Sequence, residues 1–282
     1  MTAMRPGETG GVVLLGWKTR DRALAMLQQD CEFDPPLNDH DAEALWARYR
    51  ERVNAVRGRP VRAPAPLVCT DDEQRLVADF LQDQTRHGGS VRNVVKVDPL
   101  RLVAHQLEIT TARSTSLSER LQTPADWALE CLCPAPSAER PSIRHAPNSM
   151  DVDLPHGEWA LVFDAKLGLV LGEAARCITV TTIEPYLVLW SGYHRTYASV
   201  ACRPKGGATI LAAVVDDPGV AAAARSCGLR AVASDNPPVF SDFFDPDLAL
   251  PVRFRAKRFT MEIRARMVAA NVEAFGDRKS VV

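Results

Sequence analysis

The sequence contains no apolar run long enough to cross a bilayer. Its longest stretches without a charged residue are ten residues each, Pro185–His194 and Gly206–Val215, whereas a membrane-spanning helix needs about 20 apolar residues. The N-terminal residues, MTAMRPGETGG, have no apolar signal core after Arg5. These absences predict a cytoplasmic protein with no membrane partner.

Neither positive nor negative charge dominates the sequence, and aromatic residues are few. The chain has 34 basic and 35 acidic residues, for a net charge of −1, and 6% aromatic residues. Binding of nucleic acid through bulk charge is therefore disfavoured, and it would need a local basic patch. The 46% of apolar residues is typical of a globular protein, and 282 residues suffice for one large or two modest domains.

Sequence signatures of zinc and of the common nucleotide folds are lacking. The seven cysteines are irregularly spaced, and Cys131-x-Cys133 is neither the two-residue spacing of zinc sites nor followed by a second pair. The chain has no Walker loop, no Gly-x-Gly-x-x-Gly fingerprint and no Gly-x-Ser-x-Gly elbow. We therefore predict buried free thiols and no metal site.

Periodicity divides the chain into three regions, which together predict an α/β or α+β fold. Residues 1–90 are predicted to be helical, with helices over 21–29 and 39–56 and a third that begins at the Thr70 capping box. Residues 91–205 form the predicted core, with an insertion near 133–157 and a proline-rich loop over 134–149. Residues 206–282 are predicted to be an α/β extension with a basic end.

The core region is predicted to alternate strands and helices. A Val-rich strand is expected over Val91–Val97, and a helix is expected to begin at Thr123 and Pro124. Two strand pairs should follow, then a helix and a buried strand. Their predicted bounds are Trp159–Phe163 with Leu167–Leu171, Ile178–Ile183 with Tyr186–Trp190, Tyr193–Cys202, and Gly207–Val215.

One segment has the composition of an anion site. An apolar strand leads into Ser191 and Gly192, then Tyr193, His194 and Arg195, where a helix is predicted to begin. A helix N-terminus presents unpaired N–H groups and about half a positive charge. A glycine allows close approach of the backbone, arginine matches phosphate geometry, and histidine donates a hydrogen bond or acts as an acid or base. The plainer interpretation is an ordinary helix start, with Arg195 paired to Glu184 or Asp216.

The same segment resembles the signature of the ParB/sulfiredoxin superfamily, in which Gly-x-His/Arg-Arg-x-x-Ala follows a strand and begins a helix. The matching positions are Gly192, His194, Arg195 and Ala198. Upstream, the Asp98-Pro-Leu-Arg-Leu stretch, between Val95 and Gln106, is similar to the opening of such domains. The resemblance covers about residues 91–205 and implies a ParB/sulfiredoxin-like core.

The resemblance implies that Gly192 and the following amides cradle a nucleotide phosphate that His194 and Arg195 contact. Two departures from the family pattern limit the activities that the resemblance implies. Tyr193 stands where sulfiredoxins have a reactive cysteine, so sulfinic-acid reduction is not expected. Partitioning proteins of this group have arginine in place of His194 and a helix-turn-helix domain, which the sequence after Lys205 does not predict.

Other polar residues are weaker candidates. Glu184 could serve as a base near the phosphate, or be a turn carboxylate. Asp216 and Asp217 follow a predicted strand, where they could bind a metal or cap a helix. His156 with Glu158 is weak evidence for a metal. Gln106 faces the site if the resemblance holds, and is otherwise a polar loop residue.

Charge is distributed unevenly towards the C-terminus. Residues 150–250 carry 7 basic and 12 acidic groups, and residues 251–282 carry 8 and 3. The two stretches could neutralise each other, or the basic end could bind an anionic partner. If 252–258 is a strand, Arg253, Arg255 and Lys257 share one face at spacings of about 7 Å, similar to the phosphates of a nucleic-acid strand. A basic helix and a solvated charged face are the alternatives. Phe254 and Phe259 could stack on bases or belong to the core.

The sequence therefore leads to three functional hypotheses. The first is binding of a nucleotide, with Mg²⁺ as an expected companion, or of another phosphorylated ligand at Ser191–Arg195, with phosphoryl transfer or hydrolysis as an extension. The second is a nucleic-acid-binding accessory protein that uses the basic face. The third is a non-catalytic interaction scaffold. No catalytic carboxylate is identified by motif.

Overall fold

The computed structural model describes fourteen parts of the chain and divides it into two compact units. Unit 1 comprises 1–136 and 175–256, and unit 2 comprises 137–174 and 257–282. The described residues are 8–86, 91, 93–111, 117, 121, 123–133, 142–146, 149–154, 159–164, 168–173, 177–202, 207–215, 235–255 and 259–263.

The α-helices of the described residues all belong to unit 1. A π-helical turn, Met26–Asp30, extends the first of them, and three short 3-10 helices lie at Leu15–Trp17, Pro99–Arg101 and Phe240–Phe244. No helix within the described ranges is both long and apolar enough to span a membrane. The α-helices are α1 (Arg20–Ala25), α2 (Asp39–Ala55), α3 (Asp71–Arg86), α4 (Pro124–Leu132) and α5 (Tyr193–Cys202).

The described strands form three sheets and a hairpin. In chain order they are β1 (Glu8–Val13), β2 (Cys31–Glu32), β3 (Asn93–Val97), β4 (Val103–Ala104), β5 (Glu108–Thr110), β6 (Ser142–Ala146), β7 (Ser149–Leu154), β8 (Trp159–Asp164), β9 (Gly168–Glu173), β10 (Thr179–Ile183), β11 (Tyr186–Ser191), β12 (Ile210–Val214), β13 (Leu250–Arg255) and β14 (Phe259–Ile263).

Local capping explains where three of the helices begin. In α3 the Glu73 carboxylate accepts from the Thr70 N–H at 2.7 Å, and Thr70 Oγ1 accepts from the Glu73 N–H at 3.3 Å. Thr123 and Asp126 form the same box before α4, with Pro124 in the first turn. Both starts were predicted, because a capping box is local in sequence. Helix α2 is capped by Asn38, whose side chain accepts from the Asp41 N–H at 2.8 Å.

The first sheet, in the order β2-β13-β1-β5, joins the two ends of unit 1. Strand β1 pairs with β13 and with β5, antiparallel in both cases. The prediction of a mostly helical region over 1–90 is confirmed for α1, α2 and α3 and is corrected at β1 and β2, which are strands. Gly11 makes the packing possible, since a Cβ there would lie 2.6 Å from the Ile109 carbonyl oxygen and would overlap the Phe254 ring.

The second sheet, in the order β3-β12-β10-β11-β4, contains the segment that resembles a phosphate site. Strands β10 and β11 form an antiparallel hairpin, and each is also parallel to its outer neighbour, β12 and β4 respectively. The largest core cluster includes side chains from this sheet and from α3, α4 and α5, among them Phe80, Leu132, Leu189, Tyr193 and Leu211. The core therefore fixes where β11 ends and α5 begins.

Unit 2 contains a three-stranded sheet in the order β14-β7-β6 and the β8–β9 hairpin. The hairpin matches the predicted pairing of Trp159–Phe163 with Leu167–Leu171. The predicted loop over 134–149 is corrected, since Ser142–Ala146 is a strand paired with β7. Residues 142–146 contain no proline, so the proline content of the predicted loop does not interrupt this ladder.

These sheets confirm the predicted α/β or α+β class, with antiparallel and mixed sheets beside helices. The predicted boundaries at 90 and 205 do not coincide with the two units. Strand β12, from the expected C-terminal extension, lies inside the second sheet, and β13 pairs with the N-terminal β1. Unit 2 takes residues 137–174, which overlap the insertion expected near 133–157.

Candidate functional site

The junction between β11 and α5 is a tight turn at Gly192. Its φ is +88°, a conformation that favours glycine. A Cβ at this position would lie 2.8 Å from Ile178 Cγ1 and 3.1 Å from Ile178 Cα. Both the backbone conformation and the lack of space therefore require glycine between Ser191 and Tyr193.

Helix α5 begins immediately after this turn. Its first intrahelical bond is from the Thr196 N–H to the Gly192 carbonyl, at 2.9 Å, and Thr196 Oγ1 donates to the same oxygen at 3.0 Å. The amides of Tyr193, His194 and Arg195 precede this ladder, in the first turn of the helix. Such a group of N–H donors, with the positive end of the helix dipole, suits an anion.

The hydroxyls of Ser191 and Tyr193 hold the turn in place. Ser191 Oγ lies 2.8 Å from Thr179 Oγ1 and donates to the Cys177 carbonyl at 3.2 Å. Tyr193 is buried, and its hydroxyl donates to the Leu189 carbonyl at 2.8 Å. Burial also raises the pKa of Tyr193 well above its ordinary value. Both side chains, predicted as ligand-binding groups, thus bind to the protein itself.

His194 and Arg195 lie on the first turn of α5 and are half-buried. His194 Nε2 is 2.7 Å from Thr110 Oγ1 on β5, and Arg195 Nη1 donates to the Glu130 carbonyl on α4 at 3.3 Å. Neighbouring elements therefore orient both side chains at the same helix end. This turn brings together an imidazole, a guanidinium and three backbone amides, which are all able to donate to phosphate oxygens.

His105 lies beside this turn, and the sequence did not single it out. Its ring stacks on Tyr193 at 5.6 Å and meets Trp190 edge-on at 4.6 Å. Burial lowers the pKa of His105 to about 4, so the ring is neutral at pH 7. Only the parallel pairing of β11 with β4 brings His105 here, and that pairing has no local sequence signal.

Gln106 is next to the junction through its backbone. The Tyr193 hydroxyl accepts from the backbone N–H groups of His105 and Gln106, at 2.8 and 3.1 Å. The side chain of Gln106, however, donates to the Glu108 carbonyl at 2.7 Å. Its backbone N–H therefore contacts the candidate site, whereas its side-chain amide contacts the backbone two residues further along the chain.

Glu184 is far from the junction, which corrects its candidate role as a base. It occupies the turn of the β10–β11 hairpin, where Ile183 pairs with Tyr186, and Ser191 lies at the other end of β11. Six-residue strands span about 17 Å from first to last residue. The alternative pairing of Arg195 with Glu184 is excluded by the same separation.

Arg253 and Arg255 are both exposed on β13, whereas Val252, on the opposite face of the strand, is buried. The strand prediction for this segment is confirmed over its described residues. Arg253 lies opposite Glu32 on β2. A cross-strand pair of opposite charge favours neutralisation within the sheet. Phe254 packs against the buried cluster of Val13, Leu27 and Val252.

Several predicted candidates lie outside the described residues. They are Lys257, Asp216, Asp217, His156 and Glu158, and the side chain of Phe259. Within the described part of the chain, no group of three His, Cys, Asp or Glu residues could hold a metal ion. Cys131 is buried and Cys133 is exposed, although both were expected to be buried thiols.

The chain was compared with protein-family models, curated proteins and solved structures. No family model matches the chain, and neither a curated protein nor a solved structure is detectably similar to it.

Proposed function

We propose that this protein binds a nucleotide or another phosphorylated small molecule at the junction of β11 and α5. The observation that carries the proposal is the turn at Gly192, with its φ of +88°, directly before the first amides of α5. His194 and Arg195 follow on the same helical turn. The resemblance of this segment to the ParB/sulfiredoxin superfamily supports the same assignment.

Each group has a distinct role in this proposal. The amides of residues 193–195 and the Arg195 guanidinium donate to phosphate oxygens, with the guanidinium fork able to bind two of them. His194 supplies a further donor. Ser191 and Tyr193 act as positioning residues, because their hydroxyls tie the turn to Thr179, Cys177 and Leu189.

Phosphoryl transfer or hydrolysis is the catalytic extension of this proposal. A nucleoside triphosphate would carry Mg²⁺ on its own phosphates, which neutralises charge during transfer. Turnover is measured as release of inorganic phosphate from ATP, CTP or GTP, with and without Mg²⁺. Release above that of Arg195→Ala protein would support an enzyme, and binding without release would support a sensor or scaffold.

The binding experiment is a titration of wild type and Arg195→Ala with ATP, ADP, CTP, GTP, pyrophosphate and phosphate. At least one ligand should raise the melting temperature of wild type by several degrees at 100 times its Kd, where binding contributes about 2.7 kcal/mol. Arg195→Ala should lose this shift. Arg22→Ala, at an exposed position on α1, is the matched control and should retain it.

Two results would contradict the proposal. A folded wild-type protein whose melting temperature no phosphorylated ligand changes would exclude phosphate binding at this turn. A shift that persists in Arg195→Ala and in His194→Ala would place the ligand elsewhere on the protein.

Nucleic-acid binding through β13 is the second candidate. It is supported by the exposure of both Arg253 and Arg255 on one face of the strand. A nucleic-acid partner should bind in a salt-dependent manner, with each phosphate contact lowering the slope of log K against log salt by about 0.7 to 0.9. Arg253→Ala with Arg255→Ala should weaken it, and Arg195→Ala should not.

A further inference from the structure

A cavity of about 300 Å³ lies at the other end of the second sheet from Gly192. The parallel strands β10 and β12 both end there, and Thr182 and Val214 near their carboxyl ends line the cavity. Alternate residues along β3, the first residues of β11 and the segment that contains Pro64 also line the cavity. In α/β folds, ligands commonly bind beyond the carboxyl ends of parallel strands, and cavities of about 300 to 1,000 Å³ hold small molecules.

The lining of this cavity is apolar with a few polar groups. Val95, Val97, Leu187 and Val214 contribute aliphatic surface. Asn93, Thr182 and Tyr186 are polar lining residues, and Tyr186 also packs against the apolar cluster of Val103, Val188 and Val239. This mixture is typical of small-molecule sites, in which apolar walls supply affinity and a few polar groups fix orientation.

Charge among the described lining residues is of one sign. Glu184 is the one charged residue of this described lining, and no described residue forms an ion pair with it. The Tyr186 ring follows two residues later in the same turn. A carboxylate beside an aromatic face attracts an ammonium group through Coulomb and cation–π interactions.

We propose that this cavity binds a small organic cation, with its apolar body against Val95 and Leu187 and its ammonium group at Glu184 and Tyr186. The site is distinct from the junction at Gly192, because the length of β11 separates the two. The inference does not depend on phosphate binding, and either site can fail without the other.

The test is calorimetric titration of the full chain at low salt with two probes of matched body and opposite charge. Benzyltrimethylammonium should bind with a Kd below about 10 mM, and benzenesulfonate should bind at least about tenfold more weakly. Glu184→Gln and Tyr186→Leu should each weaken binding of the cation about five- to tenfold. Glu51→Gln, an exposed carboxylate on α2, is the matched control and should leave both affinities unchanged.

Three results would overturn the assignment. The first is equal affinity for the two probes, and the second is no binding of the cation at about 10 mM. The third is Glu184→Gln protein that binds the cation as wild type does. These outcomes concern the cavity alone, so they do not change if the Arg195→Ala variant fails to bind phosphorylated ligands.

Discussion

The two ends of β11 carry opposite chemistry on one strand. At its carboxyl end, Gly192, His194 and Arg195 present donors and positive charge. At its amino end, the turn at Glu184 and Tyr186 presents a carboxylate and an aromatic ring. A single hairpin thus positions the proposed anion site and the proposed cation site about 17 Å apart. The comparison teaches that the two ends of a short strand acquire different chemistry from the helix that begins at one end and the turn that closes the other.

The two ends also differ in how tightly the backbone is constrained. A side chain introduced at position 192 would overlap Ile178, whereas the hairpin turn at Glu184 is exposed. The junction should therefore respond to small substitutions through both stability and binding. The turn should respond through binding alone. Substitutions at each end test this contrast.

The largest expected effect is at Gly192. Gly192→Ala should lower the free energy of unfolding by about 3 kcal/mol, through a disfavoured φ and overlap with Ile178. Gly58→Ala is the matched control, because Gly58 has a φ of +83° and a Cβ added there would meet no atom within 4 Å. It should cost only about 1 kcal/mol. If urea denaturation shows the same loss of unfolding free energy for both variants, Ile178 does not crowd the turn at Gly192.

The next effect is a pH dependence from His105. Its pKa is about 4 in the folded protein, compared with 6.5 in the unfolded chain. The unfolded state therefore binds more protons between these values, and stability should fall as pH is lowered from 6.5 to 4, by at most about 3 kcal/mol. His105→Phe should flatten this part of the stability curve. His40→Gln, at an exposed position, should leave it unchanged, and an unaltered slope in His105→Phe would refute the assignment.

A smaller effect is expected from the Tyr193 hydroxyl. Tyr193→Phe leaves the amides of His105 and Gln106 without this acceptor, and should cost about 1 to 3 kcal/mol. Tyr197→Phe is the control, because Tyr197 stacks on Phe244 at 4.7 Å and its hydroxyl forms no hydrogen bond with the described residues. Its cost should be below about 0.5 kcal/mol. Thermal or chemical denaturation of both variants measures the contrast directly.

The smallest effect is at the other end of β11. Glu184→Gln should change the free energy of unfolding by less than about 0.5 kcal/mol, because its carboxylate is exposed and forms no described ion pair. It should also leave binding of phosphorylated ligands unchanged. A loss of phosphate binding in this variant would show that the two ends are coupled, contrary to the separation described above.

Features that depend on neighbouring residues could be predicted from the sequence. The capping boxes of α3 and α4, the β10–β11 hairpin and the start of α5 after Gly192 all lie where local pattern placed them. These elements are specified by capping, alternation and turn residues within a few positions of each other. The backbone of the candidate site follows from them.

Features that depend on distant pairing could not be predicted in this way. Strand β1 contains two glycines, and its partner β13 is more than 230 residues away. The inward direction of the Ser191 and Tyr193 hydroxyls depends on Thr179, Cys177 and the segment after β4. His105 and the cavity at Glu184 are likewise products of sheet order. Only the assembled second sheet shows which polar side chains hold the site and which can reach a ligand.

The most direct test of the phosphate site is an amide spectrum of the isotopically labelled protein, titrated with pyrophosphate and with ATP. If phosphate binds at the junction of β11 and α5, the largest shifts are at Gly192, Tyr193, His194 and Arg195, with a smaller shift at Thr110. Shifts centred on Arg253 and Arg255, or the absence of any saturable shift in the folded protein, would contradict this assignment.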